Sequence, residues 1–414
     1  MAPSTYLSSA LLGPRPGIFR TAVVALTVVG MTWLSIGLVM RPKRSKKQPF
    51  TPSPRMTILP TLGEQEAANL PYPLDALPGG RDVVTPYGSI RVYEWGPENG
   101  GKVLLVHGIS TPTVALGDLG HELVGKGYRV MLFDLFGRGY SDAPNDLDYD
   151  ARLYVTQILL VLASSKLPWT EFSLVGYSLG GGLCVSFTRY FPHLVSSLIL
   201  IANGGLIRPY HVGWQSRLLY SSGLLPEFLV RMLVRRRIRP KDELSHLPTG
   251  SSVDIASAET KKHLPNGDGD ANGGDAFDSA AISKFRPGVT VSSVVRWQVD
   301  HHEGFVTAFL STIRNAPIYA PQDDWRVLGM ILKARRRSEL SKDAGTIPGL
   351  HAGKVFMVLG EDDPVVVKDE TIEDATLALG PDGIEFAVLP GGHELPFAAS
   401  SGVADAIEGF WRKQ

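Results

Sequence analysis

The sequence is poor in cysteine and lacks the acceptor motif for N-linked glycosylation. Cys184 is the only cysteine among 414 residues, so the chain cannot form an internal disulfide bond. No Asn-x-Ser/Thr tripeptide occurs anywhere in the chain. Both absences argue against a secreted, disulfide-stabilised protein and favour a reducing, cytosol-facing location.

The chain also lacks an excess of charge of either sign. Its 41 basic and 41 acidic residues cancel, so no overall field exists to attract nucleic acid, and we predict no nucleic-acid partner. With 44% hydrophobic and 20% charged residues, the composition is that of a packed globular protein. This composition excludes disorder of the whole chain, and a core of this size needs no disulfide or metal for its stability.

Acidic residues are absent from the first part of the chain, which contains one long charge-free stretch. No Asp or Glu precedes Glu64, and residues 21–40 carry no charge. A helix of that length rises about 30 Å, which matches the hydrocarbon core of a bilayer. A cleaved signal peptide is the alternative, but its apolar part is shorter, about 7 to 15 residues, and ends at a small-residue cleavage site that we do not find here.

We therefore predict that residues 1–47 comprise a short tail, one transmembrane helix at 21–40 and a basic flank. Two arginines precede the helix, whereas five cations follow it directly: Arg41, Lys43, Arg44, Lys46 and Lys47. The positive-inside rule then places the rest of the chain in the cytosol, which predicts a single-pass protein of an endomembrane. An N-terminus with arginine and serine but no acid also resembles a mitochondrial presequence, so a mitochondrial location stays open.

After this segment, the pattern predicts a linker and then an alternation of strands and helices. Residues 48–80 are rich in proline and short polar side chains, which predicts a spacer. Segments of helical length, such as 115–126 and 151–167, separate short apolar runs. These runs predict eight strands, at 82–85, 89–95, 102–107, 128–134, 171–177, 196–202, 354–360 and 384–390. Such an alternation forms a mostly parallel sheet flanked by helices, so the predicted fold class is α/β.

The alternation stops in the middle of the chain. Residues 207–347 contain helical patterns together with a stretch of glycine, aspartate and asparagine. We interpret residues 207–347 as a helical cap that carries a disordered acidic loop near 251–285. The core would then consist of residues 81–206 and 348–414.

One turn between a predicted strand and a predicted helix has the pattern of a nucleophilic serine. Gly176-Tyr177-Ser178-Leu179-Gly180 fits G-x-S-x-G in the strand–turn–helix context that the motif requires. A sharp turn there would expose the Ser178 hydroxyl. The helix that follows would direct the free amide of Leu179 toward a developing oxyanion.

The residues that would activate this serine lie far downstream. A serine nucleophile needs a histidine as its base and a carboxylate that orients the histidine, in the chain order Ser, acid, His. His393 lies after the last predicted strand, where neighbouring glycines allow it to turn toward Ser178. Three consecutive acids follow the preceding strand, and position alone does not choose among them. Because Pro364 would stiffen the loop directly after Asp363, we prefer Asp363, with Asp362 as the alternative.

With these motifs in this order, the chain from about residue 88 to residue 411 resembles the α/β-hydrolase superfamily. His107-Gly108-Ile109 matches the His-Gly pair that such proteins carry after an early strand. The resemblance implies that the amide of Ile109 is a second oxyanion donor and that His107 is structural. Residues 134–141 match the superfamily's D-x-x-G-x-G-x-S turn, which shapes the site. Dehalogenases and epoxide hydrolases of the superfamily use an aspartate at the elbow, so Ser178 argues against those activities.

The resemblance implies a serine hydrolase that needs no cofactor and no metal. The layout resembles membrane-anchored monoacylglycerol-lipase-like enzymes, which implies a small hydrophobic ester as substrate. A peptidase, amidase or thioesterase would use the same triad and remains an alternative. In another class, a non-catalytic, membrane-anchored interaction protein remains a second alternative. The sequence leaves the oligomeric state open.

Two further features allow more than one interpretation. Residues 214–241 mix large apolar residues with arginines, which is typical of a helix on an anionic membrane but also of a cap helix whose cations face water. The pair His301-His302 lies beside Glu303 without further ligands at metal-binding spacing. We therefore predict no metal site there.

Overall fold

The computed structural model describes residues 48–221, 225–240, 274–319, 323–340 and 349–413, together with Val24, Thr27, Val28 and Met31. The chain divides into two units, Met1–Gln48 and Pro49–Gln414. The transmembrane helix predicted at 21–40 lies outside the described residues except for those four positions, each of which is helical. Within the described part of the chain, no helix is both long and apolar enough to span a bilayer.

The strands of the second unit lie close to where the sequence predicts them. In chain order they are β1 (Phe50–Thr51), β2 (Gly80–Thr85), β3 (Gly88–Trp95), β4 (Lys102–Val106), β5 (Arg129–Phe133), β6 (Ala143–Pro144), β7 (Phe172–Tyr177), β8 (Val195–Ile201), β9 (Val355–Gly360) and β10 (Ile384–Leu389). Strands β1 and β6 form a separate antiparallel pair that the sequence did not predict. The other eight strands correspond one to one with the predicted strands.

These eight strands form one sheet in the order β10-β9-β8-β7-β4-β5-β3-β2. The five pairings from β10 to β5 are parallel, whereas β3 pairs antiparallel with both β5 and β2. All six residues of strand β9 are buried. The strands of the parallel part of the sheet therefore appear in the sequence as continuous apolar runs. Helices cover both faces of such a sheet, so its strands do not alternate with polar residues. The prediction of a mostly parallel α/β sheet is confirmed.

The helices of the described residues connect these strands and fill the insertion between β8 and β9. In chain order they are α1 (Pro54–Thr57), α2 (Glu64–Ala68), α3 (Gly117–Gly125), α4 (Ala151–Ala163), α5 (Leu179–Tyr190), α6 (Trp214–Tyr220), α7 (Glu227–Ile238), α8 (Gly274–Ser279), α9 (Val291–His301), α10 (Phe305–Asn315), α11 (Asp323–Leu340), α12 (Lys368–Leu379), α13 (Leu395–Ala398) and α14 (Ser400–Trp411). Side-chain caps fix two of the starts: Leu153 N donates to Asp150, and Ser293 N donates to Thr290. Helices α6 to α11 lie in the insertion between β8 and β9.

Residues 49–79 pack on the core, which corrects the linker predicted at 48–80. Tyr72 is fully buried, and its hydroxyl lies 3.2 Å from Oδ2 of Asp134. Farther along the segment, Nη2 of Arg91 donates to the carbonyl of Leu74 over 2.7 Å. A proline-rich composition predicts an extended chain, but the segment contains the short helices α1 and α2, and burial of a few aromatic and aliphatic side chains fixes it against the core.

A second correction concerns the acidic loop predicted near 251–285. Residues 251–273 lie outside the described residues, but 274–285 are ordered by helix α8 and by a bridge between Ala281 and Thr290. Phe277 is the buried residue of α8, with 3% of its surface exposed. The buried side chains of Phe277 and Ile282 therefore hold this part of the cap against the core.

Candidate functional site

Ser178 lies in a strained turn between strand β7 and helix α5. Its φ of 52° and ψ of −122° fall in a region that residues with a side chain rarely adopt, and such a conformation costs about 1 to 3 kcal/mol. Backbone hydrogen bonds maintain it: the Ser178 carbonyl accepts from Gly181 N at 2.9 Å and from Gly204 N at 2.7 Å. The turn therefore presents the Ser178 side chain at the carboxyl end of the sheet.

The two glycines of the motif are required by close backbone approach. A Cβ atom on Gly176 would lie 2.5 Å from the carbonyl oxygen of Gly180. A Cβ atom on Gly180 would lie 2.2 Å from the carbonyl oxygen of Val106 in the neighbouring strand. A side chain at Gly176 would force strand β7 and helix α5 apart, and one at Gly180 would force helix α5 away from strand β4, so the sharp turn depends on both glycines.

The structure brings Ser178, His393 and Asp363 into one hydrogen-bonded row. Nε2 of His393 lies 3.0 Å from Oγ of Ser178, and Nδ1 lies 2.9 Å from Oδ2 of Asp363. A carboxylate only accepts hydrogen bonds, so Nδ1 carries the proton and Nε2 is free to accept from the serine hydroxyl. Both His393 and Asp363 are buried, with 3% and 7% of their surfaces exposed.

The geometry distinguishes Asp363 from its acidic neighbours. Oδ1 of Asp363 accepts from the amides of Val365 and Val366 at 2.8 and 2.9 Å, which leaves Oδ2 for the imidazole. Asp362 is exposed and makes no contact with His393 among the described interactions. Asp363 is therefore the carboxylate that orients the ring.

Two aromatic residues hold His393 in place. The Tyr177 hydroxyl donates to the His393 carbonyl oxygen over 2.7 Å, and burial raises the pKa of this phenol, so it stays a donor. The ring of Phe277 lies 5.6 Å from the imidazole, centroid to centroid. The sequence analysis missed Phe277 because it falls in the predicted loop, where the only signal is one aromatic residue among small and acidic ones.

The two predicted oxyanion donors, Leu179 and Ile109, line the same cavity as the Ser178 hydroxyl. Leu179 is the first residue of helix α5, so its N–H has no acceptor within the helix. The peptide that joins Gly108 to Ile109 is oriented through its carbonyl, which accepts from Nδ1 of His107 over 2.8 Å. Because a trans peptide directs its N–H opposite to its carbonyl, this contact fixes the direction of the Ile109 amide.

His107 is held as a neutral ring behind the site. Its Nε2 accepts from the amide of Leu135 over 2.8 Å, and burial lowers the pKa of His107 to about 3. The carbonyl of Ile109 accepts from Nε of Arg138 at 3.1 Å, and the same guanidinium donates to Thr312 in helix α10. The turn at residues 134–141 therefore connects the Ile109 segment to the cap.

An enclosed cavity of about 90 Å³ lies beside Ser178 and His393. Its walls are mostly apolar and include Ile207, Val212, Ile313, Ile318 and Val365. An outer, more open cleft of about 950 Å³ adjoins it. The two spaces share four wall residues, which together form the partition between them: Val212, Tyr220, Ile313 and Tyr319.

The two histidines of the pair His301-His302 differ in burial, since His302 is buried and His301 is exposed. Nε2 of His302 lies 2.9 Å from the carbonyl oxygen of Ser141, and Nδ1 accepts from the amide of Gly304, so both ring nitrogens have protein partners. Burial lowers the pKa of His302 to about 4. Among the residues that the structure describes, no cluster of three or more His, Cys, Asp or Glu side chains could hold a metal ion.

Comparison with known proteins agrees with this fold. A family model described as alpha/beta hydrolase fold matches residues 102–398, which is more than half of the chain. The chain therefore belongs to the α/β-hydrolase fold family. It is also 30% identical over 123 residues to a serine hydrolase-like protein of Danio rerio, a match that covers 30% of this chain and 37% of that protein. The match thus spans little more than a third of the relative's length.

Solved structures show the same architecture. With a 2-hydroxy-6-oxo-6-phenylhexa-2,4-dienoate hydrolase from Rhodococcus sp. strain RHA1 the TM-score is 0.52 at 15% identity, over 80% of this chain and 98% of the other. With the carboxylesterase CesB from Bacillus subtilis the TM-score is 0.51 at 13% identity, over 81% and 92% of the two chains. At these identities the likeness shows the fold alone.

Proposed function

We propose that the chain is a serine hydrolase that cleaves carboxylic esters with a hydrophobic acyl group. The observation that carries this proposal is the row of contacts from Asp363 through His393 to the Ser178 hydroxyl. The strained backbone of Ser178 supports it, because such strain is typical of a catalytic turn.

The chemistry follows from this geometry in two half-reactions. His393 accepts the Ser178 proton on Nε2 while Oγ forms a bond to the carbonyl carbon of the ester. The amides of Leu179 and Ile109 receive the negative charge that develops on the carbonyl oxygen. When the tetrahedral species collapses, the bond to the alcohol oxygen breaks, and His393 delivers the proton to that oxygen.

Water completes the cycle by the reverse sequence. His393 removes a proton from a water molecule as its oxygen attacks the acyl carbon, and the proton then returns to Oγ of Ser178 when the acid leaves. During both steps Asp363 keeps the proton on Nδ1 and stabilises the positive charge of the ring. The chain's own residues are sufficient for this route.

The lining of the enclosed cavity supports an apolar acyl group of limited size. A volume of about 90 Å³ is well below the roughly 300 to 1,000 Å³ of a typical ligand pocket, which suits a short hydrophobic chain better than a long one. The outer cleft is lined by charged as well as apolar residues and would take the alcohol part of the ester.

The proposal includes attachment to a membrane through residues 21–40, with the hydrolase unit on the cytosolic side of an endomembrane or a mitochondrial membrane. The charge-free stretch and the five cations that follow it support this arrangement. A membrane location would give the enzyme access to hydrophobic esters that partition into lipid.

The decisive experiment measures labelling by a fluorophosphonate probe and turnover of a panel of esters, amides and thioesters by the purified full chain. The native chain and Ser173→Ala, which removes another hydroxyl from strand β7, should be labelled and should prefer esters. Ser178→Ala should lose labelling and turnover. Equal labelling of Ser178→Ala and the native chain would reject the proposal. Faster turnover of amides or thioesters than of esters would make that class the substrate of the same triad. A correctly folded native chain that neither labels nor turns over any substrate would favour the non-catalytic interaction protein.

A further inference from the structure

Helix α7 has one buried face and one face that exposes large apolar side chains. Val230, Val234 and Ile238 are buried and recur every four residues, so they form the face that packs against the protein. On the outer face, Phe228 is 72% exposed and Met232, one turn later, is 58% exposed. A cap helix that only covers the core would place polar residues at these two positions.

The same outer face is rich in positive charge. Four exposed arginines lie on or directly after the helix: Arg231, Arg235, Arg236 and Arg239. Glu227 pairs with Arg231 at 3.6 Å, and Asp300 pairs with Arg239 at 2.9 Å and with Arg235 at 3.8 Å. Among the contacts of the described residues, two carboxylates therefore face these four positive charges, which leaves an excess of positive charge around Phe228 and Met232.

This surface borders the route to the nucleophile. Glu227 and Arg231 line the outer cleft, whose partition residues Tyr220 and Ile313 also line the enclosed cavity at Ser178. A molecule that approaches along helix α7 would therefore reach the cleft directly.

We propose that the outer face of helix α7 docks on the surface of an anionic lipid bilayer. Phe228 and Met232 enter the interface, while the arginines pair with anionic lipid headgroups, which is the arrangement of an interfacial amphipathic helix. A bilayer is favoured over an acidic protein because the same chain carries the charge-free stretch at 21–40, which would hold the hydrolase unit close to lipid. The docking itself does not depend on catalysis; only its use for substrate entry rests on the proposed function.

The single buried cysteine of the chain makes a direct test practical. In a Cys184→Ala background, Met232→Cys places an environment-sensitive nitrobenzoxadiazole dye on the proposed surface. Leu377→Cys is the matched control, because Leu377 is an apolar residue on helix α12 that is 85% exposed. Both full-length proteins are reconstituted into vesicles of phosphatidylcholine with or without phosphatidylserine.

In vesicles with phosphatidylserine, the dye at position 232 should shift to the blue and brighten, and high salt should reduce the effect. The dye at position 377 should keep its aqueous emission in every vesicle. Equal, aqueous emission from both positions in anionic vesicles would overturn the proposal and would leave an acidic protein as the partner to be considered.

Hydrolysis supplies an independent readout. Phe228→Ser combined with Arg235→Gln and Arg236→Gln should lower the rate on an ester embedded in anionic vesicles by about tenfold, and should leave the rate on a soluble short ester unchanged. An equal loss on both substrates would overturn docking in favour of local damage. If Ser178→Ala retained turnover, the proposed function would fail, whereas the dye measurement would still decide the docking.

Discussion

The aromatic ring of Phe277 packs against the imidazole of His393, with the two centroids 5.6 Å apart. The same ring lies 5.8 Å from that of Phe397, in the short helix that follows His393. At the start of helix α8, a Cβ atom on Gly274 would contact Pro364, the residue after Asp363. Helix α8 therefore covers the acid–histidine pair from the side of the cap.

We predict that Phe277 acts as a positioning residue for His393. Phe277→Ala removes the ring that packs beside the imidazole and should lower kcat by roughly 10- to 100-fold, because a small misplacement of a catalytic group has a large effect on rate. KM should change little, since Phe277 does not line either substrate space. Steady-state kinetics on a soluble ester would measure both constants.

Two variants separate positioning from general damage to the cap. Phe277→Leu should recover most of the native kcat, because an apolar side chain would still cover the imidazole. Phe285→Ala removes an aromatic ring that is 64% exposed in the same part of the cap and should leave kcat unchanged. A native kcat for Phe277→Ala would contradict the assignment.

The choice of Asp363 as the orienting acid gives a second prediction. Asp363→Asn should reduce kcat by roughly 10³- to 10⁴-fold, because an amide in this place favours the wrong tautomer of His393. Asp362→Asn makes the same change from carboxylate to amide at the exposed neighbour, and its kcat should stay within about twofold of the native value. The reverse ranking of the two variants would transfer the role to Asp362.

The sequence predicted the sheet and the elbow because both depend on local signals. Buried parallel strands appear as continuous apolar runs, and the turn at Ser178 requires glycines at fixed offsets. The choice between Asp362 and Asp363 has no such local signal. It depends on which carboxylate the loop directs inward, and the two amide contacts of Asp363 that decide this appear only in three dimensions.

Two segments were misinterpreted for a common physical reason. Residues 48–80 and the end of the predicted loop at 251–285 both have polar or proline-rich compositions that predict weak structure. Each contains a buried aromatic residue, Tyr72 or Phe277, whose partners lie far away in the sequence. Composition averages over a segment, so it does not reveal that a single side chain has a matching place in the core.

The partition between the two spaces gives a prediction about acyl specificity. Ile313→Ala should enlarge the enclosed cavity toward the outer cleft, because Ile313 lines both. The ratio of kcat/KM for an octanoyl ester over a butyryl ester should rise by about tenfold, the effect expected for a few added methylenes in an apolar pocket. Val306→Ala shortens a buried side chain of the same helix that lines neither space, and should leave the ratio unchanged. An unchanged ratio for Ile313→Ala would place the acyl group elsewhere.

The buried histidines make the stability of the fold depend on pH. His302 has a pKa of about 4 in the folded chain because burial disfavours its charged form, against about 6.5 when unfolded. Between these values the unfolded chain binds the extra proton, so the contribution of His302 is complete above about pH 6.5 and is lost as the pH falls toward 4. His107, with a pKa of about 3, acts in the same direction.

Asp134 opposes this trend, so the test must isolate His302. Burial raises the pKa of Asp134 to about 7. The contribution of Asp134 to the free energy of unfolding is therefore present at low pH and is lost as the pH rises through 7. The free energy of unfolding of the native chain should therefore be compared with that of His302→Gln, in urea, at pH 7 and pH 5. The free energy of unfolding of the native chain, relative to that of His302→Gln, should be about 2 kcal/mol lower at pH 5 than at pH 7, because glutamine takes up no proton. A difference that stays constant between the two pH values would mean that His302 is not held neutral by its burial against Ser141.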